Sequence, residues 1–163
     1  MSPMDLQTKN KYQTLHLGQI MGDILPPKTI LSLEGDLGSG KTIFVKGLAL
    51  GLHIAQKITS PTFALVQIYS GKLDLTHADL YRLKEKEILE MGLEDYWRSP
   101  LFSPSWILAI EWGDKADAIL PTLEKSISIF HLRFRILSKY SRNINIEGPK
   151  RWLNKIQTSW QKS

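Results

Sequence analysis

The feature that most limits what this chain can fold into is the segment 35–42, which reads GDLGSGKT. It matches the pattern G-x-x-x-x-G-K-[ST], in which glycines let backbone N–H groups turn inward onto phosphate oxygens. The preceding TILSLE at 29–34 predicts a buried strand, and the apolar spacing of residues 43–52 predicts a helix. A strand, a glycine-rich loop and a helix in this order predict a P-loop nucleotide-binding fold.

The chemistry of the loop assigns a ligand and a metal. Lys41 is expected to neutralise the β- and γ-phosphates of ATP, and the Thr42 hydroxyl to ligate Mg²⁺. The helix that begins here directs the positive end of its dipole at the same charge. We expect the nucleotide to contact a continuous run of residues: Gly35, Asp36, Leu37, Gly38, Ser39, Gly40, Lys41, Thr42 and Ile43.

Two acids follow predicted strands. Glu111 ends the apolar run WILAI at 106–110, at the strand end where ligands gather in open parallel sheets, so we expect it near the metal with Thr42. Asp79, in HADLYR at 77–82, is a candidate for orienting water or holding the metal shell. His77 lies two residues before Asp79, but no further His or acidic cluster accompanies the pair, which argues against a transition-metal site.

The loop Ser60-Pro61-Thr62-Phe63 follows the P-loop helix. A hydroxyl there is placed to sense the γ-phosphate, as switch segments do, although Pro61 also fits a plain helix-to-strand turn.

The remaining pattern predicts a three-layer α/β fold whose mixed sheet has a parallel core and antiparallel additions. Apolar periodicity predicts a helix from Thr14 to Leu25, and alternation predicts strands at 63–69 and 73–78 and a hairpin of 127–137 with 144–147. Residues 84–91 favour a helix. At 163 residues we expect a single domain, 1–163, in which 149–163 is a basic, helical C-terminal extension.

Charge and composition narrow the partners. Residues 131–163 carry eight Lys and Arg against the single acid Glu147, a net charge of +7, which fits a nucleic-acid surface or a solvated tail equally well. The chain has no cysteine, so disulfides and zinc–sulfur sites are excluded. Residues 1–12 are polar and no apolar run approaches the roughly 20 residues of a membrane span, so we expect a cytoplasmic protein without a membrane partner.

Five blocks in order resemble the TsaE (YjeE) family, the small ATPases of bacterial tRNA threonylcarbamoyladenosine biosynthesis. They are LEGDLGSGKT at 33–42, SPTF at 60–63, HADLYRL at 77–83, GLEDYW at 92–97 and IEW at 110–112. The resemblance runs from about Thr14 to Glu147.

This resemblance implies work with two partner proteins, TsaB and TsaD, of which TsaD transfers the threonylcarbamoyl group to tRNA. It implies that Asp79 is needed for hydrolysis, that Glu111 is associated with the metal, and that Thr62 lies in a switch-like loop. It further implies that Thr14 approaches the nucleotide base, that Arg142 approaches the phosphates, and that Trp112 belongs to the nucleotide site. Ile43 departs from the family, which commonly has a second threonine there, so a hydroxyl contact to the α-phosphate is lost.

Three other functions remain open at this stage. A small-molecule kinase would use Arg82 and Arg98 as a clamp. A GTP switch would use Asp114-Lys115-Ala116-Asp117, which resembles a guanine-reading N-K-x-D, although HADLYR lacks the glycine of a D-x-x-G switch. A nucleotide-stabilised assembly protein would hydrolyse ATP only to reset a docking surface. Contact between tRNA and the basic end is a further hypothesis, with salt-dependent affinity.

Overall fold

The computed structural model describes residues 3–61, 64–98, 103–121 and 125–163. Within these ranges, seven strands form one sheet, and helices cover both of its faces. In chain order the elements are β1 (Met4–Thr8), α1 (Lys11–Ile24), β2 (Thr29–Glu34), α2 (Lys41–Gly51), β3 (Val66–Tyr69), β4 (Asp74–Asp79), α3 (Glu85–Glu90), α4 (Asp95–Arg98), β5 (Trp106–Glu111), a 3-10 helix (Gly113–Ile119), β6 (Ser128–Ile136), β7 (Arg142–Glu147) and α5 (Lys150–Gln161).

The sheet has the order β1-β7-β6-β2-β5-β4-β3. Its four central strands, β6, β2, β5 and β4, are parallel, while β3 at one edge and β7 and β1 at the other run antiparallel to their neighbours. This confirms the predicted mixed sheet with a parallel core. The carboxyl ends of β2, β4 and β5 consequently lie along the same edge of the sheet, which is where such folds bind ligands.

Alternate residues of the central strands face different helical layers, as strand geometry requires. Leu31 of β2 and Ala109 of β5 belong to the apolar cluster under α1, α2 and α5. Ile30 and Ile110 belong to a second cluster on the other face, under α3, α4 and the 3-10 helix. Because both faces are covered, β2 and β5 read in the sequence as continuous apolar runs.

Helices α1 and α2 cross in very close contact through glycines. A Cβ on Gly47 would lie 1.8 Å from the carbonyl oxygen of Leu15, and one on Gly18 would lie 2.1 Å from that of Phe44. No side chain fits at these positions, so the backbones themselves form the interface. The crossing fixes α1 against the helix that follows the P-loop.

Several element boundaries differ from prediction. Helix α1 begins three residues before Thr14 because Asn10 caps it, its Oδ1 accepting from Gln13 N at 3.0 Å. The polar N-terminal segment contains β1, which pairs with β7. The helix expected within 149–163 is α5, and its buried residues are Leu153 and Ile156, with Trp152 and Trp160 only partly buried. Within the described ranges, no helix is both long and apolar enough to cross a bilayer.

Candidate nucleotide site

The segment 35–42 joins β2 to α2 as predicted, and its glycines adopt backbone conformations that other residues avoid. Gly35, Gly38 and Gly40 have φ values of 149°, 76° and 105°. A Cβ on Gly35 would also approach Phe134 O to 2.6 Å and Ser39 Oγ to 2.7 Å. The loop therefore needs glycine for its conformation at three points and for space at Gly35.

Lys41 is folded back over this loop. Its Nζ donates hydrogen bonds to the carbonyl oxygens of Gly35 and Asp36 and to Ser39 Oγ, the last two at 3.0 and 3.3 Å. Only 4% of the residue is exposed, and the indole ring of Trp112 lies 4.5 Å from Nζ. Burial lowers the pKa of Lys41 below its ordinary value, an effect that Glu111 and other nearby acids partly oppose.

Thr42, Glu111 and His77 form a connected chain of hydrogen bonds. Thr42 Oγ1 donates to Glu111 Oε1 at 2.8 Å, and His77 Nε2 lies 2.9 Å from the same oxygen. Glu111 is 4% exposed and His77 is fully buried. The two residues predicted to hold the metal are thus brought into direct contact across 69 residues of sequence.

Asp79 ends β4 directly beside Glu111, its paired residue on β5. Its Oδ1 accepts from the Tyr81 N–H at 3.0 Å and its Oδ2 from the Ser60 hydroxyl at 3.3 Å. Paired residues of adjacent parallel strands point to the same face, so both carboxylates face the α2 side of the sheet. The structure therefore places the two predicted acids together.

A cavity of about 330 Å³ opens over these groups. We call it the strand-end cavity, since Asp79 and Glu111 line it from the ends of β4 and β5, opposite the loop and the first turn of α2. Tyr81, Arg82 and Trp112 complete its wall. Oxygen donors, one lysine and one arginine around a concave space form an arrangement suited to phosphate and a hard cation.

A second cavity of about 390 Å³ lies on the other side of the loop. We call it the hairpin cavity, because it is formed between the start of α1 and the turn that joins β6 to β7. Lys11, Tyr12 and Thr14 line it from α1, while Lys139 and Tyr140 line it from the turn. It shares Gly38, Gly40 and Ile43 with the strand-end cavity, so the two are adjacent across the loop.

Thr14, Arg142 and Trp112, the other residues that the resemblance implies for the nucleotide site, also lie beside the loop. Thr14 is buried, its Oγ1 lying 2.8 Å from Thr8 Oγ1, and its methyl group faces Gly40. Arg142 donates to the carbonyl oxygens of Ser39 at 3.1 Å and Gly38 at 2.9 Å, so its guanidinium braces the loop backbone.

Trp112 takes up a left-handed conformation (φ 58°) immediately after Glu111 and packs on Tyr81, with the ring centroids 5.1 Å apart. A non-glycine residue in this region is strained, and such strain clusters at functional sites. This conformation directs the indole over Lys41.

The prediction for Thr62 lies outside the described residues. Of the two arginines of a kinase clamp, Arg82 lines the strand-end cavity, whereas Arg98 pairs with Glu94 at 2.8 Å on α4. In the segment that resembles a guanine-reading motif, Lys115 donates to the carbonyl oxygens of Leu80, Tyr81 and Leu83. Asp117 of the same segment lies near His131. A kinase clamp with Arg98 and a guanine-reading segment at 114–117 therefore gain no support from their positions.

Tyr12 and Tyr140, which line the hairpin cavity from opposite sides, were not predicted from the sequence. Both are exposed, at 70% and 65%. Exposed tyrosines in polar segments carry no distinguishing pattern. No sequence signal marks them, because they reach the loop through the parallel alignment of β6 with β2, which brings the β6–β7 turn there.

Within the described residues, no group of three or more His, Asp or Glu side chains is arranged to enclose a metal ion. Mg²⁺ does not require such a group, because it is commonly bound by one or two protein oxygens together with substrate phosphates and water. The Thr42–Glu111 pair fits that mode of binding.

Comparison with known proteins identifies relatives along most of the chain. The family profile described as "Threonylcarbamoyl adenosine biosynthesis protein TsaE" matches residues 8–144. The tRNA threonylcarbamoyladenosine biosynthesis protein TsaE of Treponema pallidum is 36% identical over 140 residues, covering 85% of this chain and 96% of that protein. The protein of the same name from Borreliella burgdorferi is 36% identical over 148 residues, covering 89% and 100%.

The TsaE protein of Nostoc is 46% identical over 107 residues, and this match covers 65% of that relative and 65% of this chain. In three dimensions, the crystal structure of Bacillus subtilis YdiB superposes with a TM-score of 0.75 over 99% of this chain and 95% of that one, at 24% identity. At that identity the structural likeness shows the fold alone, and the assignment to a family depends on the sequence matches. The profile match runs from the end of β1 into β7, and two relatives align along nearly their whole length, so this chain belongs to the TsaE family of threonylcarbamoyl adenosine biosynthesis proteins.

Proposed function

We propose that this chain is the ATPase of tRNA N6-threonylcarbamoyladenosine modification, which binds ATP with Mg²⁺ and hydrolyses it to ADP and phosphate. The observation that carries the proposal is the convergence of Lys41, Thr42, Asp79 and Glu111 on one cavity at the mouth of a glycine loop. The names of its relatives supply the pathway. The chemistry at this site supplies the reaction.

The two adjacent cavities fit the two halves of ATP. Phosphates lie over the loop, where backbone N–H groups and Lys41 meet them. The nucleoside lies in the hairpin cavity, against Thr14 and between the exposed rings of Tyr12 and Tyr140. Aromatic faces suit an adenine ring, since every base has a stacking surface. Ile43 leaves the α-phosphate with a backbone contact in place of a hydroxyl.

Thr42 and Glu111 would hold the metal. The Thr42 hydroxyl donates its hydrogen bond to Glu111, so the lone pairs of Oγ1 would remain for a cation on the cavity side. Mg²⁺, when bound, neutralises charge on the phosphate oxygens during transfer of the phosphoryl group.

Asp79 is the acid we assign to the attacking water. Bonds from Tyr81 N and Ser60 Oγ fix its carboxylate at the cavity wall. Glu111 Oε1 already accepts a hydrogen bond from Thr42 and lies beside His77 Nε2. We therefore assign Glu111 to the metal and not to the attacking water. The water, hydrogen-bonded to Asp79, attacks the γ-phosphorus, and the bond from phosphorus to the β-γ bridging oxygen breaks. ADP leaves with that electron pair, and the proton of the water passes by way of Asp79 to the released phosphate.

TsaB and TsaD are the proposed partners, and the cytoplasm, where tRNA is modified, is the proposed location. In this scheme nucleotide organises the docking surface for the pair and hydrolysis resets it for another turnover. Leu37 lines the cavity and is 64% exposed, so a bound partner protein can contact it, and nucleotide in the cavity can change that contact.

The test is phosphate release from ATP by the purified protein, alone and with a TsaB–TsaD pair, together with multi-turnover tRNA modification. We expect the pair to stimulate hydrolysis. Lys41→Ala should abolish it, and Asp79→Asn should lower kcat by about 100-fold or more, a typical effect of losing a catalytic acid–base group.

Asp74→Asn, at the opposite end of the same strand, is the matched control and should leave the rate unchanged. Hydrolysis by Asp79→Asn at the wild-type rate would remove Asp79 from the mechanism. Full multi-turnover modification without ATP hydrolysis would leave nucleotide as a structural ligand. Consumption of ATP without phosphate release would favour a kinase.

We also propose that the basic end contacts tRNA. Helix α5 carries no acid, and its exposed Arg151 and Lys155 flank the Trp152 ring at 5.1 and 4.5 Å. A positive surface with an aromatic ring suits RNA phosphates and bases.

Arg151→Glu with Lys155→Glu should weaken tRNA binding at low salt and flatten its salt dependence, measured by filter binding. Lys84→Glu with Lys86→Glu, remote from α5, is the control. Equal affinities of the two double variants would refute a role for α5.

A further inference from the structure

His77 lies on β4, between β3 and β5, and none of its surface is exposed. It shares a face of β4 with Asp79, two residues further on, and its β5 neighbour Ala109 precedes Glu111 by two residues. The imidazole therefore lies diagonally behind Glu111, one step deeper than the cavity. His77 is not among the residues that line the strand-end cavity.

The hydrogen bond between His77 and Glu111 has a defined direction. An ionised carboxylate has no proton to give, so the Nε2 of His77 carries the proton and donates it to Oε1. Nδ1 has no hydrogen-bond partner among the described residues. An apolar residue would fill this position without leaving a buried nitrogen unpaired, so the contact with Glu111 is what histidine contributes here.

The same oxygen of Glu111 accepts the proton of Thr42. Two donors from opposite sides thus fix Oε1, one from the strand behind it and one from the first turn of α2. Without the rear donor, the carboxylate would be free to rotate about its last torsion, and the Thr42 hydroxyl would lose its fixed acceptor. Groups behind a metal ligand commonly set its orientation in this way.

We propose that His77 is a positioning residue that holds Glu111, and through it the Thr42 hydroxyl, in the geometry that a nucleotide-bound divalent cation requires. This inference rests on the proposed function, because it deepens the metal half of that site. It separates two contributions to nucleotide binding. Lys41 and the loop hold the phosphates without His77, whereas the gain in affinity that the cation brings depends on it.

The test is binding of a fluorescent, non-hydrolysable ATP analogue, followed by anisotropy in EDTA and along a Mg²⁺ titration. Three variants are compared with wild type: His77→Gln, whose amide nitrogen reaches about as far as Nε2, His77→Asn, whose amide nitrogen falls short, and His77→Phe, which keeps the ring without a donor. Thermal melting of each variant reports the fold separately.

In EDTA all four proteins should bind alike. The Mg²⁺ concentration for half-maximal effect should rise about tenfold or more in the Asn and Phe variants and stay within about threefold of wild type in the Gln variant, as expected when a group behind a metal ligand is lost or kept. A folded Phe variant with the wild-type Mg²⁺ curve would overturn the inference. Equal losses in EDTA and in Mg²⁺ in every variant would also overturn it, by showing a role in the fold alone.

A wild-type protein that binds the analogue well but shows no response to Mg²⁺ would instead overturn the metal part of the proposed function, and the inference with it. A wild-type protein that responds to Mg²⁺ while the Phe variant does so equally would overturn only the role of His77. The two failures are thus distinguishable in one set of titrations.

Discussion

Lys41 is a charged group held in an environment that opposes its charge. It is almost fully buried beneath Trp112, and its ammonium group is satisfied by two loop carbonyl oxygens and Ser39 Oγ. Burial lowers its pKa, and nearby acids, chiefly Glu111, only partly restore it. A lysine maintained in this state is ready to receive a more negative partner such as a phosphate, because the cost of removing it from water has already been met in folding.

The lowered pKa of Lys41 predicts a pH dependence of stability. Between the lowered folded value and the unfolded value of about 10.5, the unfolded chain binds more protons, so this group makes folding more favourable as pH rises. Relative to Lys41→Met, wild type should gain unfolding free energy from neutral pH towards pH 10.5. Urea unfolding of both proteins across that range measures the difference. A difference that stays constant with pH would contradict the prediction.

Arg142 provides a second prediction at the residue scale. Its guanidinium bridges the Ser39 and Gly38 carbonyl oxygens and the turn carbonyl oxygens of Ser138 and Ser141. Arg142→Ala removes this brace and should weaken ATP binding about tenfold, because a hydrogen bond from a charged group contributes about 1.5–3 kcal/mol. Isothermal titration calorimetry measures the change.

Arg135→Ala, on the same hairpin but exposed, is the control for Arg142. Equal affinities of the two variants would show that the loop holds its shape without the brace.

At this scale the sequence predicted the residues that lie close to a recognisable pattern. Lys41 and Thr42 follow from the glycine spacing, and Glu111 and Asp79 from their positions at strand ends. Tyr12 and Tyr140 could not be found in this way, because they are distant in sequence and only the sheet order brings them to one cavity. The roles assigned to these residues in catalysis and binding remain predictions.

Among the secondary-structure elements, helices α1 and α2 make the tightest crossing, and glycines on both helices allow it. Gly18 and Gly22 on α1 face Gly47 and Gly51 on α2, and at each of them a Cβ would lie within 2.4 Å of a carbonyl oxygen of the other helix. Carbonyl oxygens of a helix cannot move aside as a flexible side chain would. The close contact fixes the distance between the two helices. Because α1 lines the hairpin cavity and the loop lies at the start of α2, this contact also fixes the position of the α1 wall of the cavity relative to the loop.

Gly47→Ala should consequently destabilise the protein by about 2 kcal/mol or more, since overpacking of this kind outweighs the better helix propensity of alanine. Urea unfolding measures the free energy. Leu50→Ala, on the same helix with its side chain half-exposed, is the matched control and should change stability by less than about 1 kcal/mol. A Gly47→Ala protein as stable as wild type would mean that the helices can separate at little cost.

Elements were predictable where apolar spacing was strong. Strand β1 was missed because only Met4 and Leu6 alternate within a polar run, and pairing with β7 rather than local propensity makes it a strand. The 3-10 helix after β5 was missed because it depends on the left-handed conformation of Trp112, which a sequence pattern does not reveal. Packing against the second apolar cluster, through Ala116 and Leu120, holds that helix in place.

For the molecule as a whole, α5 belongs to the same packed body as the sheet. Ile156 is fully buried and Leu153 nearly so, both in the cluster beneath α1 and α2. Trp160 lies against His16 of α1, with ring centroids 6.2 Å apart. The basic end predicted as an extension thus packs into the main core as a layer, with its charges on the outside.

Deletion of residues 149–163 should therefore lower the unfolding free energy by about 3 kcal/mol or more, because loss of one large buried apolar side chain alone costs about 2–5 kcal/mol. Differential scanning calorimetry and urea unfolding measure this loss. The Arg151→Glu, Lys155→Glu protein retains the buried side chains and should melt within a few degrees of wild type. A truncated protein as stable as the full chain would show that α5 is dispensable for the core.

The overall architecture was predicted correctly because a P-loop requires a strand on one side and a helix on the other, and because the remaining apolar runs fit a mixed sheet. The order of the strands could not be predicted. Placing β6 on one side of β2 and β5 on the other depends on long-range packing, which leaves no periodic trace in the sequence.

The pairing of Asp79 with Glu111 across β4 and β5 also constrains how this family can change over evolutionary time. Inserting one residue inside either strand would turn its terminal carboxylate to the opposite face, since side chains alternate with a period of two. The connection between them, which contains α3 and α4, has no such restriction on its length, because an added residue there leaves both carboxylates on the same face of the sheet. Differences in chain length among the relatives are therefore expected between the two strands and not within them.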